Sequence, residues 1–400
     1  MFSIGIDISK LKSTVAVMPR YGEVVRTPFE ITHTEAALSN LVEMARSLNG
    51  EVRIVMESTG AYHLPVLNYL KESGFFVSVV NPIVIQKYAA MNIRKVKTDP
   101  MDALNITRFG IDCWQRLVDF SPSDETYAEL RLLSRQYLHY IALLKDAKLN
   151  LTNLMDHVLP GIKPFLKSQT RSSGRNILCD FVEKFWHLDL ITKMSEEKFV
   201  AAYAAWAKKT GHHSNETKAR GLYANALEAI PTLSSRTPST KMLVLEAVHA
   251  LQNAERTLAA ILARMQELAK SLKEYAIVRA MPGVGDTLAP RIIAEIGDIQ
   301  RFHSGSALVA FAGIDAPPYQ SGKINITHRH ISKRGSSSLR RTGYEIMQCI
   351  KINKPTYDDA VYTFMLKKES EGKPKKLAKI AAFNKFLRIY YARVSAIYSV

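Results

Sequence analysis

Residues 97–103 read Lys97-Thr98-Asp99-Pro100-Met101-Asp102-Ala103, a stretch that starts a helix and sets two carboxylates on one of its faces. Thr98 suits the N-cap, and Pro100 falls in the first turn, where a missing N–H costs little. At a spacing of three, Asp99 and Asp102 stand roughly 5–6 Å apart at Cβ and can point at one object. A divalent cation is the simplest such object.

Upstream, the sequence predicts an α/β unit for the helix to pack on. Phe2–Ser9, Ser13–Met18 and Glu23–Ile31 read as three short strands in a meander. Thr34–Leu48 carries apolar residues at 38, 41, 42, 45 and 48 behind a Thr cap, an amphipathic helix. Glu51–Glu57 reads as a buried strand, Gly60–Ser73 as a helix, and Phe75–Val80 as a last strand ending at Asn81-Pro82. Three strands followed by alternating helix and strand imply a mixed sheet with helices on its faces, an RNase H type of unit.

Two more acids fall on that frame. Asp7 lies in the first strand between Ile6 and Ile8, which face the opposite side of the pleat. Glu57 ends the fourth strand. With strands one and four as neighbours, Asp7, Glu57, Asp99 and Asp102 face a common point. Four carboxylates so placed repel one another at a cost of several kcal/mol unless a cation sits among them. Oxygen ligands select Mg²⁺ or Mn²⁺, and two such ions can activate an attacking oxygen and steady a leaving one in phosphoryl transfer. Taken singly, each acid is better explained as a strand-end residue or a helix cap; the joint pattern favours a metal site.

Beyond Ser121-Pro122-Ser123 long helices take over. Positions 130, 133, 137, 140, 144, 147, 151, 154 and 158 form one heptad seam, and 251, 254, 258, 261, 265, 268, 272 and 275 a second. They read as arms of an antiparallel coiled coil with a helical insertion at about 159–241, Glu196–Lys209 being one of its helices. An ordinary bundle within one protomer and an arm that also mediates dimerisation are both open. The expected division is 1–120, 121–278 and 279–400.

Met281-Pro282-Gly283-Val284-Gly285-Asp286, followed by a helix over Thr287–Ile296, has the helix-hairpin-helix pattern, in which Gly283 and Gly285 let backbone N–H groups approach a phosphate. A plain helix connector looks much the same. Ser321 precedes Gly322 on an expected tight turn, among Lys323, Arg329, His330, Lys333, Arg334, Arg340 and Arg341. A hydroxyl within such a ring of cations could attack a phosphodiester. Ser-Gly is also an ordinary turn dipeptide, and Ser336, Ser337 and Ser338 compete as N-caps or nucleophiles.

Composition fits an acidic partner. The 400 residues are 47% hydrophobic, enough for two or three cores, and carry a formal net charge of +17. Residues 321–400 hold 17 Lys and Arg against 5 Asp and Glu, so +12 of that excess is local to the last fifth of the chain. Such a surface points to nucleic acid. Cys113, Cys179 and Cys349 are scattered and support neither a disulfide framework nor a zinc knuckle. No long apolar run or signal peptide stands out, so a cytoplasmic protein without a membrane partner is expected.

The order Gly-Ile-Asp-Ile-Ser, Met-Glu-Ser-Thr-Gly, Lys-Thr-Asp-Pro-Met-Asp-Ala, Pro-Gly-Val-Gly, Ala-Phe-Ala-Gly-Ile, Gln-Ser-Gly and Ile-Ser-Lys-Arg-Gly resembles the DEDD transposases of bacterial insertion sequences, the IS110 family, related to Piv-type DNA invertases. The resemblance spans roughly 1–115 and 275–350. It implies a RuvC-like N-terminal domain whose DEDD set is Asp7, Glu57, Asp99 and Asp102. It implies a mainly helical C-terminal transposase domain in which Ser321 forms a phosphoserine with DNA. It further implies a bridge RNA pairing with donor and target DNA, and a tetramer, or at least a dimer, in which acids of one protomer meet the serine of another. Strand exchange would pass through a Holliday junction, and Lys373–Lys379 would neutralise RNA as well as DNA backbone. Two other readings compete: a RuvC or RNase H-like nuclease or junction resolvase that uses water, and a nucleic-acid-binding protein with an inactive acid cluster.

Overall fold

The computed structural model describes all residues except 21–22, 59–60, 92–97, 121–124, 167–175, 317–319, 322–323, 326–329 and 399–400. Two compact units result, Met1–Pro122 and Ser123–Val400.

In the first unit, β1 (Phe2–Ile8), β2 (Lys12–Pro19) and β3 (Arg26–Thr32) form the expected meander. Then come α1 (Glu35–Ser47), β4 (Val52–Glu57), α2 (Leu64–Glu72), β5 (Phe76–Val80), α3 (Pro82–Ala89) and α4 (Asp99–Asp112). The sheet order is β3-β2-β1-β4-β5, with β1–β4 and β4–β5 parallel and the other pairs antiparallel. The sheet is therefore mixed, with β1 and β4 adjacent as expected.

Alternation along β1 separates two jobs. Ile4, Ile6 and Ile8 enter one core with Leu38, Leu41, Val66 and Leu70 of α1 and α2. Ser3, Gly5 and Asp7 face the other side, where α4 lies. The last strand ends at Val80 as expected, and helix α3, which the sequence reading did not include, follows it directly. The Asn81 side chain accepts from the Ile83 N–H and Pro82 takes the first turn, so the pair starts a helix. The expected start of the second helix at Gly60 lies outside the described residues.

The second unit is largely helical. It runs α5 (Glu125–Val158), α6 (Ile177–Lys184), α7 (Asp189–Thr192), α8 (Glu196–Thr210), α9 (Glu216–Glu228), α10 (Pro238–Lys270), α11 (Tyr275–Ala280), α12 (Gly285–Ile296), α13 (Gly305–Ala312), β6 (Gln320–Ser321), β7 (Ile324–Asn325), α14 (Ser337–Asn353), α15 (Ala360–Ser370) and α16 (Lys375–Tyr398). Helices α5 and α10 are antiparallel: Leu151–Val158 packs with Val244–Leu251 at one end, and Tyr127–Tyr137 with Met265–Ala269 at the other. The heptad reading holds at Leu130, Tyr137, Leu151 and Val158, but Ser134 and Met155, off the seam, are buried as well. The second seam is shorter than expected. Helix α10 stops at Lys270, and Tyr275 opens α11.

The arm has a core at each end. Helices α6–α9 of the insertion close over Leu151, Met155 and Leu251, with Phe181, Phe199, Tyr203 and Trp206 forming an aromatic centre. At the base, Tyr127, Met265, Val278, Ile292, Leu339 and Phe383 belong to one apolar cluster, so the arm and the C-terminal helices share it. Among the described residues, no helix is long and apolar enough to cross a membrane.

Candidate metal and DNA-processing site

Helix α4 can lie on the sheet because β1 has no side chain at Gly5. A Cβ there would stand 2.2 Å from Thr107 Oγ1, 2.5 Å from Thr107 N and 2.7 Å from Ala103 O. Gly110 makes a second close approach, toward Ser3 and Val55. The Thr107 hydroxyl donates to the Ala103 carbonyl at 2.7 Å and lies 3.3 Å from the Ala16 carbonyl of β2. Buried Ala103, Ile106, Thr107 and Gly110 thus form the stripe of α4 that meets the sheet. Asp99 and Asp102 extend that stripe by one turn toward Asp7.

Register brings the other acids alongside. The pair Ile6↔Met56 of β1 and β4 immediately precedes Asp7 and Glu57. Asp7 pairs with Thr14 of β2, and Thr14 with Glu30 of β3. Asp7 is half-buried, and its pKa is pushed up to about 6, first by burial, then by the charges of Glu57, Asp102 and Asp99. All three of the other acids act on this one carboxyl. Among the described residues no three His, Cys, Asp or Glu side chains already form a metal cage, so the carboxylates would have to close in to hold an ion. An all-oxygen set with mutual repulsion suits a hard divalent cation. Thr98 occupies the N-cap in extended conformation without the expected side-chain cap bond; only its carbonyl joins the helix, accepting from Asp102 N. Lys97 lies outside the described residues.

Sequence reading overlooked Lys12 and Glu30. The Lys12 ammonium is 2.9 Å from a Glu30 carboxylate oxygen, and both Glu30 and Asp99 raise its pKa. Strand alternation places Lys12 and Thr14 on the face of Asp7, a signal readable only once the β1–β2 register is fixed.

In the second unit Ser321 ends β6 and pairs with Ile324 of β7 in a two-stranded antiparallel sheet. Gly322, Lys323, His328 and Arg329 lie outside the described residues. His330, Lys333 and Arg334 are exposed, and Lys333 holds a left-handed backbone with φ 53°. Arg341 is exposed, 3.5 Å from Glu345. Arg340 instead holds the backbone together, its guanidinium donating at 3.0 Å to both the Ala312 and Gly335 carbonyls. Ser336 N-caps α14, accepting from Leu339 N, and it also donates to Glu295 at 3.2 Å. That Glu295 is buried to 1% exposure and receives both Arg135 and Ser134, a network with no counterpart in the sequence pattern.

Gly283 takes φ 77°, and a Cβ there would meet Ile350 at 2.5 Å and the Ile346 carbonyl at 2.9 Å. Its glycine is therefore required by packing on α14. Gly285 takes φ 58° in open space and starts α12 two residues earlier than expected. Asp286 in the first turn of α12 is paired with Arg279, which holds its pKa below the usual carboxylate range. Lys373, Lys375 and Lys376 are exposed, but Lys379 is buried, donating to Gln348 beside the Tyr344 ring, and is thereby withdrawn from the basic surface.

Comparison with known proteins supplies the context. A family model of DEDD transposases of IS110 type matches residues 4–160, and a model described as transposase IS116/IS110/IS902 family matches residues 275–362. The chain is 23% identical over 345 residues to the pilin gene-inverting protein of Moraxella lacunata, covering 85% of this chain and 79% of that protein. It is 36% identical over 76 residues to the transposase for insertion sequence element IS1111A of Coxiella burnetii, covering 19% of this chain and 21% of that one. An IS110 protein of 43.6 kDa from Streptomyces coelicolor is 19% identical over 405 residues, or 99% of this chain and 93% of the other. Among solved structures, T. thermophilus RuvC in complex with a Holliday junction substrate is similar at a TM-score of 0.23 and 12% identity, covering 29% of this chain and 96% of that one. The acid-bearing unit and the serine-bearing region are each matched by the same kind of protein, in the same order. The chain belongs to the IS110 family of insertion-sequence transposases.

Proposed function

We propose that this transposase is an RNA-guided DNA recombinase in which Asp7, Glu57, Asp99 and Asp102 hold Mg²⁺ or Mn²⁺ and Ser321 is the nucleophile. The observation that carries the metal-site part of the reading is geometric: β1–β4 register and α4 packing gather the acids around Asp7, whose pKa burial, and then the charges of Glu57, Asp102 and Asp99, push up to about 6. The four acids would hold a divalent cation, which when bound would supply Lewis-acid polarisation of a phosphodiester oxygen. The Ser321 hydroxyl attacks phosphorus, a serine O–P bond forms, and the bond to one deoxyribose oxygen breaks. The serine proton goes to solvent and the leaving oxygen takes one up. Because the phosphodiester energy is kept in the phosphoserine, the strand can be rejoined to another end, and a Holliday junction is the natural intermediate of such an exchange. In this reading Lys333, Arg334 and Arg341, all exposed, would stabilise charge on the phosphate. The guide RNA, the donor and target DNA, and the pairing of acids and serine from different protomers of a dimer or tetramer rest on the family resemblance.

The acid set lies wholly in the first unit, and this favours a second reading in which the metal site activates water and Ser321 only shapes its hairpin. The deciding experiment incubates the chain with donor and target DNA, guide RNA and Mg²⁺ and looks for a protein–DNA adduct on a denaturing gel. An adduct that Ser321→Ala abolishes supports serine attack. No adduct from the native chain, with undiminished cleavage by Ser321→Ala, overturns it in favour of water. Cleavage unaffected by Asp102→Asn overturns both.

A further inference from the structure

The hairpin between β1 and β2 breaks the ordinary rule for its turn. Ser9 N–H donates to the Lys12 carbonyl at 3.0 Å, and His33 N–H donates to the Leu11 carbonyl at 3.0 Å, so the tip is pinned by backbone bonds. Within it Leu11 adopts φ 66°. Glycine, or failing that asparagine, is the usual occupant of such a position; leucine seldom is. The strained side chain gains no burial in return: Leu11 is 72% exposed. Lys10 and Lys12 flank it, also exposed, Lys12 with its ammonium on Glu30. A rigid turn that uses its strain to present an apolar side chain to solvent, between two cations, is the kind of local conflict that marks a working surface.

Its position fixes what the surface meets. Pairing runs Asp7↔Thr14, then Ile8↔Ser13, and then the tip, so Leu11 lies on the order of 10 Å beyond Asp7 along the strand. A nucleic-acid strand whose phosphate is held at the acids advances about 3.4 Å per nucleotide along a duplex axis, so Leu11 reaches about three nucleotides from that phosphate. Apolar wedges inserted between base steps, with cations on the adjoining phosphates, are a known way of kinking and unstacking DNA. We propose that Leu11 is a wedge that unstacks a base step of the DNA strand engaged at the acid site, with Lys10 seating a neighbouring phosphate. Leu11 is a positioning residue: it separates bases so that the strand can be handed over, and it touches no reacting atom. This inference rests on the reading of the acid cluster as the place where DNA is processed.

The test uses the full chain with a synthetic four-way DNA junction of arbitrary sequence, in Ca²⁺, carrying 2-aminopurine at one position at a time. Unstacking brightens the fluorophore, and anisotropy of an end label reports binding separately. The native chain is expected to brighten one position or two adjacent ones. Leu11→Gly and Leu11→Asn, which suit the left-handed turn, are expected to bind alike and melt no lower than the native chain. Each is expected to reduce the unstacked fraction about tenfold, equivalent to about 1.4 kcal/mol. Binding without brightening at any position, or brightening that survives in Leu11→Gly, overturns the wedge while leaving the DNA-processing reading intact. A chain that does not bind the junction at low salt overturns that reading, and the wedge with it.

Discussion

Substituting Gly5 by alanine tests the central packing argument, because the whole acid arrangement depends on α4 touching β1. The added Cβ would be 2.5 Å from Thr107 N and 2.7 Å from Ala103 O, both backbone atoms that no rotamer change can move. Ordinary contact begins near 3.5 Å, so the helix must back away by about 1 Å. Overpacking of this kind costs about 1–3 kcal/mol. At roughly 4 °C or more per kcal/mol for a domain of this size, the first unit should melt several degrees lower. The larger effect is on chemistry. On the proposed metal site, Asp99 and Asp102 ride on the displaced helix, and a shift of about 1 Å in a catalytic group can cost about 10²-fold in rate. Thermal melting, Mn²⁺ titration calorimetry and DNA cleavage read the three consequences in turn. Gly110→Ala is the comparison: its new contacts, the Ser3 hydroxyl at 2.2 Å and Val55 Cγ2 at 2.9 Å, are side-chain atoms and not backbone, so a smaller loss is expected. Adding Thr107→Ala to Gly5→Ala removes the 2.2 Å clash but leaves the backbone ones, so recovery should be only partial. A Gly5→Ala protein with native melting, metal affinity and cleavage would refute the idea that β1–α4 contact positions the acids.

Three further outcomes follow from the same structure. The folded-state pKa of Asp7, about 6, lies above its ordinary value of 3.8, so in chelator its contribution to stability is full below pH 4 and is lost as pH rises through 6. Melting of the chelated protein should fall over that window, Mn²⁺ should restore it at pH 7.5, and Asp7→Asn should flatten the profile; a chelated protein equally stable at pH 4.5 and 7.5 contradicts this. Arg135→Met strips buried Glu295 of its bidentate cation and should cost about 3 kcal/mol in denaturant unfolding, whereas Arg135→Met with Glu295→Met should recover much of it. Equal losses in the single and double variants would show the pair to be uncoupled. Reversing the charge of exposed Lys373, Lys375 and Lys376 should flatten the log–log salt dependence of nucleic-acid binding by about one unit for each phosphate these lysines neutralise, while Lys379→Glu should unfold the region, since Lys379 is buried against Gln348. An unchanged salt slope in the triple variant would place the nucleic acid elsewhere.

Much of the fold could be read because its signals are local. The β1 stretch alternates Ile4, Ile6 and Ile8 against Ser3, Gly5 and Asp7, and a period of two decides both strand and facing. Helix α3 escaped because Asn81-Pro82 is as good an N-cap and first turn as it is a strand terminator, and the helix behind it is only eight residues long. The end of α10 escaped for a different reason. Leu272 and Tyr275 continue the heptad spacing, yet Ser271 caps the helix and the chain turns into α11, where the same two residues serve the core of the C-terminal helices. Periodicity records which residues are buried, and a turn can preserve it.

The juxtaposition of the acids was legible in part for the same reason, and the division shows what a sequence can carry. Asp99 and Asp102 are three apart on one helix, so their common facing is local. Asp7 and Glu57 needed only the adjacency of β1 and β4. Lys12 and Glu30 needed the register of β1 on β2 and of β2 on β3, which includes an irregularity between Val15 and Val17, and no pattern in the sequence announces it. Glu295 needed more still, since Arg135, Ser134 and Ser336 come from one helix and the cap of another. A charge in such a place reads in sequence as one more polar residue of α12. Its burial is intelligible only once α5 and the start of α14 are seen to surround it, holding by one carboxylate the cap from which the basic helix after Ser321 departs. That connection makes Glu295 a structural link between the arm and the serine-bearing region, and it locates the energetic cost of disturbing either one in the other.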